Sequence, residues 1–536
     1  MSSAALVQQH AATFFAETED AAGADLPQFV KDEFDAFLEC GILAHGFLRL
    51  RCGDCGHDKL VAFSCKRRGF CPSCGARRMA QTAAHLVDHV IPHVPVRQWV
   101  LSLPIPLRLL LAAQPKPVTP VLQVVHRVIT RFLRKQAGAK ADEADSGAVT
   151  LIQRFGSAAN LNIHLHCLVL DGVYRRGAEG EPMFVQVPAP TDDEVRTELH
   201  TIITRTMKLR TRRGVLVEEE GSTYMADNDA DSDEARTLRQ LQAAACTYRI
   251  AFGPRAGQKV LTLQGAMPRQ TGFNQTRCTD MQGFSQHAAV RCGADERQAL
   301  EQLCRSITRP ALANERVQCN AAGQVVLKLK TPWRDGITHP VMSPREFMQR
   351  LAALVPRPRL HLIRFHGVLA PNAKLRPLVV PPGPVESARA AAECEAICAH
   401  HRPVRLSWAR LLKRVFDLDL EHGPNCGGEP KIIAAILEQP VIERILPHLG
   451  LQARAPPRAP ARATQLQAAC AHQSQVSSSG PAPGAAGIGC ARGFEDRGIA
   501  PTRRGKPWNE PSDGRVWPGP SARGGHRRPQ RPQSEP

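Results

Sequence analysis

The sequence predicts an α+β fold: an antiparallel sheet bearing two histidines, helices on one face of it, and a zinc ribbon in front. Three observations predict it. Residues 148–155 and 161–170 alternate like strands with a short break between them, as adjacent antiparallel strands do. Segments 119–136, 191–209 and 296–308 repeat apolar side chains every three or four positions, the period of a helix. Ahead of both come Cys52-Gly-Asp-Cys55 and Cys71-Pro-Ser-Cys74, two CxxC turns separated by fifteen residues.

Residues 1–38 read as a helical lead, with Phe14, Phe15, Phe29, Phe34 and Phe37 available for packing. Residues 39–92 form a zinc-binding domain in which Cys52, Cys55, Cys71 and Cys74 supply four thiolates to one tetrahedral Zn²⁺. The neighbouring glycines and proline allow the tight turns that aim backbone amides at sulfur. A redox CxxC comes singly beside a βαβ pattern, which this stretch lacks. Cys40, His45, His57 and Cys65 are surplus; they either pack locally or complete a second zinc site. Lys66, Arg67, Arg68, Arg77 and Arg78 flank the second turn as a phosphate contact or as a solvated face.

Residues 93–376 carry the segment richest in chemistry, Asn160-Leu-Asn-Ile-His-Leu-His-Cys-Leu-Val-Leu-Asp171. Side chains two apart in a strand share a face. Leu161, Ile163, Leu165, Cys167 and Val169 make an apolar row, and His164 and His166 lie together on the other side, where two imidazoles can hold a divalent metal. Thr191-Asp-Asp-Glu194 is a capping box that opens a helix to about Leu209. Asp227–Glu234 is an acidic connector. Asp295 caps a helix over Glu296–Thr308 with Leu300, Leu303 and Ile307 on its core stripe, and Gln302 and Ser306, four apart, share a different face. Val325–Lys330 and Leu360–Phe365 read as strands, and Asp335-Gly336 is a turn.

Residues 377–450 read as a helical region, with a core-like helix over Ile432–Leu449. Residues 451–536 are rich in Pro, Gly, Arg, Ser and Ala without an apolar period, a composition that reads as a disordered basic tail.

The whole chain has 536 residues, too many for one core, and a formal charge of +19, which favours a polyanionic partner, nucleic acid before membrane. Seventeen cysteines without a signal-peptide pattern point to a reducing intracellular compartment rather than a disulfide scaffold. The most apolar run, Val94–Ala113, is broken by Arg97, Pro104, Pro106 and Arg108, which excludes a membrane span there.

Taken together, the cysteine turns, the stretch Arg154-Phe-Gly-Ser…Leu-Asn-Ile-His-Leu-His, the run Cys304-Arg-Ser-Ile-Thr-Arg-Pro310 and Trp333-Arg-Asp-Gly336 resemble the rolling-circle transposases of the insertion-sequence ninety-one and common-region elements. The resemblance covers roughly residues 25–450. It implies an HUH (His-hydrophobic-His) endonuclease-like sheet in which His164 and His166 hold Mg²⁺ or Mn²⁺. It implies single-stranded DNA ends as partner, a structural Zn²⁺, no membrane, and a bacterial cytoplasmic, nucleoid-associated location. Asn162 and Gln153 are both candidates for a third metal ligand. In that family a helix-borne tyrosine attacks the scissile phosphate and leaves a 5′-phosphotyrosine, which conserves the phosphodiester energy for rejoining. The positions matching the family's one or two tyrosines are Ser306 and Gln302, and the chain's three tyrosines are Tyr174, Tyr224 and Tyr248. An aliphatic hydroxyl is shorter and far less acidic than a phenol, whose pKa is about 10. The expectation is therefore a transposase impaired in cleavage, with a catalytically inactive DNA-binding derivative as the alternative. The stretch Glu421–Gly428 resembles a family CxxC turn whose first cysteine has become Gly423. That leaves Cys426 without its near partner, and Cys394 or Cys398 join it only if the fold brings them close.

Overall fold

The computed structural model describes residues 2–114, 116–176, 181–212, 216–219, 222–225, 232–264, 276–330, 332–333, 335–380, 410, 413–415, 422, 425–428 and 430–462. In chain order the first elements are α1 (Ser3–Ala22), α2 (Gln28–Glu39), β1 (Phe47–Cys52), β2 (Asp58–Ala62), α3 (Pro72–His89), β3 (Val96–Ser102), α4 (Ile105–Ala113) and α5 (Val118–Gln136). Next come β4 (Ala144–Asp145), β5 (Gly147–Phe155), β6 (Leu161–Leu170), β7 (Gly172–Arg176), β8 (Pro182–Gln186), α6 (Asp192–Arg212), β9 (Leu216–Glu219), β10 (Ser222–Met225) and α7 (Asp233–Cys246). Then follow β11 (Leu261–Gln264), β12 (Cys278–Met281), β13 (Phe284–His287), β14 (Arg291–Cys292), α8 (Arg297–Thr308), β15 (Val317–Cys319), β16 (Val325–Leu327) and β17 (Ile337–Met342). The last are α9 (Pro344–Leu354), β18 (Ile363–Gly367), α10 (Arg376–Val379), β19 (Pro430–Ile436) and α11 (Gln439–His448).

The largest sheet has seven strands in the order β12-β13-β3-β6-β5-β18, with β14 also paired to β3. Every pairing in it is antiparallel. β6 lies at its centre, hydrogen-bonded along both edges, and both of its faces are covered. Leu161, Ile163, Leu165, Cys167 and Val169 point into one core with side chains of α4, α5, α6, α7 and α9. The histidine face also carries Leu168 and Leu170, and it packs against Ala83, Leu86 and Val87 of α3 and Leu300, Cys304 and Ile307 of α8. Helices on one face only was therefore too narrow an expectation. The leucines that flank the histidines make that face apolar as well, and a half-apolar central strand must be buried on both sides.

Capping boxes set two of the helix starts. Glu194 N–H donates to Thr191 Oγ1 at 3.2 Å, and the Glu194 carboxylate accepts from Thr191 N–H at 2.8 Å, as the sequence pattern predicts. Ser343 and Glu346 do the same for α9. Glu296, rather than Asp295, occupies the cap position of α8, and its carboxylate accepts from Gly293 N–H at 2.6 Å. Asp233 and Glu234, expected in a connector, form the first turn of α7 behind the Ser232 cap, where negative charge suits the helix dipole.

A buried ion cluster pins the sheet. Asp171, at the end of β6, takes both arms of the Arg97 guanidinium at 2.9 Å and Arg291 Nε at 2.8 Å. Arg97 Nη1 also donates to Ala288 O at 3.1 Å. Three strands, β3, β6 and β14, meet there.

The region 377–450 departs from its helical expectation. Residues 430–436 form β19, which pairs antiparallel with β1 and completes a three-stranded sheet β19-β1-β2. The helix begins only at Gln439, with Pro440 in its first turn, a position where the missing N–H of proline costs nothing. A continuous apolar run reads equally as strand or helix, and the open edge of β1 decides the first half of it. Residues 451–462, expected in the disordered tail, lie against the N-terminal helices. Ala459 N–H donates to Gln8 O at 3.1 Å, and Arg458 pairs with Asp35 at 2.5 Å. Cys394, Cys398, Gly423 and residues 463–536 lie outside the described residues. Among the described residues no helix is long and apolar enough to cross a membrane.

Candidate active site and zinc module

His164 and His166 are 4% and 8% exposed, with ring centroids 4.8 Å apart. Cross-strand partners share a face. Ser102, His164 and Gln153 therefore form one row, and Val100, His166 and Leu151 the next. Each imidazole is held by its Nδ1. His164 Nδ1 lies 3.0 Å from Asn162 O, which fixes the tautomer that carries its lone pair on Nε2. His166 Nδ1 lies 2.8 Å from Gln98 Nε2, an N–H donor; with the carboxamide turned over, its oxygen would face Nδ1–H instead, and only that orientation leaves the Nε2 lone pair for a metal. Burial, then neighbouring His164 and Arg309, hold His166 well below its ordinary pKa, so the ring is neutral at pH 7.

Among the described residues, His166 Nε2 and the side-chain oxygen of Asn162 are buried with no hydrogen-bond partner. Buried polar atoms are nearly always satisfied, so these two atoms on one face are left for a ligand to meet. The donor set, two imidazole nitrogens and an amide oxygen, fits a divalent ion such as Mn²⁺ or Mg²⁺. The other third-ligand candidate, Gln153, uses its amide differently. Its Nε2 donates to Ile307 O at 2.7 Å and ties the end of α8 to the strand beside His164.

That tie brings the C-terminal end of α8 to β5, the strand beside the histidines. Leu300, Cys304 and Ile307 of α8 are buried, while Gln302 and Ser306 are exposed on its other side. Of the tyrosines, Tyr174 is buried against Phe184 and pushed up to about 12 by burial. Tyr248 packs edge-on to Trp333.

A cleft of about 120 Å³ opens where α8 ends. It is lined by Gln153, Arg154, Thr308 and Arg309 from the sheet and α8, and by Arg67, Arg68 and Arg78 from the zinc module. Arg154 is only 4% exposed, and among the described residues both of its terminal nitrogens are buried without a partner. Burial pulls its guanidinium down to about 10. Not all of the predicted basic residues face this cleft. Lys66 and Arg77 are outside its lining, and Arg68 also holds Leu360 O in place. Arg78 donates to the carbonyls of Lys66 and Arg67 at 3.1 and 3.0 Å, which shapes the loop before the second cysteine turn.

The zinc module divides the four predicted ligands. Cys71 and Cys74 gather with Cys40 and Cys65, not with Cys52 and Cys55. Sulfur–sulfur separations are 3.7 Å for Cys40–Cys74 and Cys71–Cys40 and 3.3 Å for Cys65–Cys74. A tetrahedral ZnS₄ centre with Zn–S near 2.3 Å needs about 3.8 Å, so this donor set fits one structural Zn²⁺. Without metal the four sulfurs compete for protons. Contacts with Cys65 and Cys71 pull the Cys40 thiol down to about 7, Cys74 goes the same way, and Cys65 and Cys71 are pushed up. CxxC spacing identifies the turns, but packing decides which turns converge. α3 starts at Pro72 and presents Cys71 and Cys74 toward the end of α2, where Cys40 follows Glu39.

Two family models match the chain. One, described as "Transposase zinc-binding domain", covers residues 6–103, and the other, described as "Putative transposase", covers residues 147–376. These two matches, together with the four-cysteine cluster, define a DNA transposase with a zinc-binding N-terminal domain. The chain belongs to the insertion-sequence ninety-one/common-region transposase family. Neither a curated protein nor a solved structure matches it.

Sequence reasoning missed Gln98, which orients His166, and His287. His287 pairs with Val100 and so shares the histidine face, with its Nδ1 buried and unpartnered among the described residues. Alternation along Val96–Ser102 would have placed Gln98 on a strand face; its pairing to β6 needed the fold.

Proposed function

We propose that this transposase is of the rolling-circle HUH class. It binds single-stranded element ends along the cleft between the zinc module and α8, and this copy is impaired in strand cleavage because Ser306 stands where the family has its nucleophilic tyrosine. The observation that carries the reading is the cleft. Five arginines line it, one of them buried with two terminal nitrogens that have no partner among the described residues, and it includes Gln153, which ties α8 to the strand beside the histidines. A planar guanidinium without a carboxylate suits a phosphate oxygen pair, and a basic groove that tracks a backbone is how sequence-tolerant single-strand binding works.

His164, His166 and Asn162 would hold the Mg²⁺ or Mn²⁺. Bound there, the ion would polarise the scissile phosphate and stabilise charge developing on it. Gln98 and the Asn162 carbonyl keep the two rings aimed, and Gln153 keeps the end of α8 beside them. Exposed Ser306 is at the end of that helix with a short, weakly acidic hydroxyl. The same features favour, as a second reading, a catalytically inactive DNA-binding protein that occupies element ends. A location in the bacterial cytoplasm with the nucleoid follows from either.

The binding claim is tested by fluorescence anisotropy with a labelled single-stranded oligonucleotide and its duplex over a salt series. Single strands should bind more tightly. Arg67→Ala and Arg309→Ala should each weaken binding and reduce the salt slope by about 0.7 per lost phosphate contact. Equal affinity for both forms, unmoved by either substitution, would overturn the cleft assignment.

A further inference from the structure

Cys52, Cys55 and Cys426 converge, although Cys52 and Cys426 are 374 residues apart in sequence. Their sulfurs lie within 4.8 Å of one another, and Cys52 Sγ is 3.4 Å from Cys426 Sγ. The local backbone is built for this. Gly56 follows Cys55 and Gly427 follows Cys426, each with a left-handed φ of +69°, so both chains turn sharply just past a sulfur. Gly428 N–H points at Cys426 Sγ at 3.4 Å. At Gly428 a Cβ would meet the Asp54 carboxylate and lie 3.0 Å from Cys52 Sγ, so the two turns close on each other here with room for little more than glycine. The strand pairing delivers the same register, since Cys52 of β1 faces Pro430 of β19.

We infer that Cys52, Cys55 and Cys426 form a second Zn²⁺ site, separate from the four-cysteine centre, with three thiolate ligands and an exchangeable fourth position. Three sulfurs within 4.8 Å of one another select a soft or borderline ion, Zn²⁺ before Mg²⁺ or Ca²⁺. Among the described residues no fourth histidine, cysteine or carboxylate joins the three. Position 423, three before Cys426 and where a CxxC turn would have its first sulfur, is glycine. A three-thiolate site with an open position resembles a catalytic zinc in ligand count. It belongs to the β19-β1-β2 sheet rather than to the histidine sheet, however, and its consequence is mechanical. It clasps β19 and the segment that follows onto the β1–β2 hairpin, closing a loop of several hundred residues. Such closures gain the most from a metal clip. Cys426 lies outside the matched span 6–103, so the clasp belongs to the whole chain rather than to its zinc-binding domain.

The test is zinc stoichiometry on the full chain, purified without chelator, with release followed by a colorimetric zinc chelator. Native protein should carry two zinc per chain, one for each cysteine group. One should leave roughly tenfold or more faster than the other. Cys426→Ser and Cys55→Ser should each retain one, with faster hydrogen exchange in residues 47–52 and 430–436. Gly423→Cys should keep two and slow the faster release. One zinc in native protein, unchanged in Cys426→Ser, would overturn the site. Two zinc with a release unaltered by Gly423→Cys would overturn the open fourth position. Neither result depends on DNA binding or cleavage, so failure here is distinguishable from failure of the transposase reading.

Discussion

Replacing Asp171 by alanine should destabilise the sheet by about 3–5 kcal/mol, the loss expected when one member of a buried ion cluster is removed and its partner stays charged. The size follows from the geometry. Asp171 is 2% exposed, and Arg97, 3% exposed, gives it two hydrogen bonds of 2.9 Å. Arg291 adds a third at 2.8 Å but is partly solvated and can turn to water. After Asp171→Ala, Arg97 keeps, among the described residues, only the Ala288 carbonyl. The loss is a large share of the roughly 5–15 kcal/mol that holds an ordinary domain together. It also reaches the site, because Arg97 precedes Gln98, whose carboxamide orients His166. Paired replacement by Arg97→Met and Asp171→Leu should recover most of the stability, since an apolar pair needs no desolvation of charge. Urea denaturation followed by circular dichroism reads the stability, and hydrogen exchange in residues 96–102 and 161–170 localises it. A loss below about 1 kcal/mol for Asp171→Ala, or equal losses for the single and paired variants, would refute the reasoning.

Other perturbations bear on the remaining joints. Cys65→Ser should empty the four-cysteine zinc centre and unfold its domain, because structural zinc is worth about 10–16 kcal/mol; a zinc content equal to native protein would contradict the ligand set. A Cβ at Gly75 would lie 2.5 Å from Pro310 Cβ, so Gly75→Ala should wedge α3 from the end of α8, lower the melting temperature through about 1–3 kcal/mol of overpacking, and weaken single-strand binding; unchanged melting would sink this contact. Burial holds His126 well below its ordinary pKa of 6.5, with His366 adding to it, and burial pulls His366 to about 4. Both are neutral in the fold, whereas the unfolded chain takes up protons near 6.5. The stability they contribute is therefore complete above that pH and is lost as pH falls from about 6.5 toward about 4, each ring giving up about 1.4 kcal/mol for every pH unit crossed in that window. Melting temperature across this range should fall for native protein and fall less for His366→Phe.

Much of the architecture was legible in the sequence where a local signal fixes it. The capping box at Thr191, the helix over 118–136 and the pairing of 147–155 with 161–170 each rest on residues close together in the chain. The histidine pair was legible for the same reason, as a two-residue period. What was lost depended on distant partners. Four cysteines in two CxxC turns allow one centre or two, and only the fold, with Phe34 and Phe37 of α2 packed on Phe70 just before α3, brings Cys40 and Cys65 to Cys71 and Cys74. The apolar stretch over 432–449 became half strand because β1 offered an edge. Gln98 carried no signal until β3 was laid beside β6.

The central claim is that the scaffold is competent and the nucleophile is missing. Its most direct test is covalent-adduct formation. Native protein and Ser306→Tyr are incubated with a labelled single-stranded element-end oligonucleotide and Mn²⁺, then run under denaturing conditions. A denaturation-resistant shift is predicted for Ser306→Tyr alone, abolished by His164→Ala or His166→Ala. An adduct on native protein would contradict the claim, and mapping the linked residue would identify the nucleophile in use.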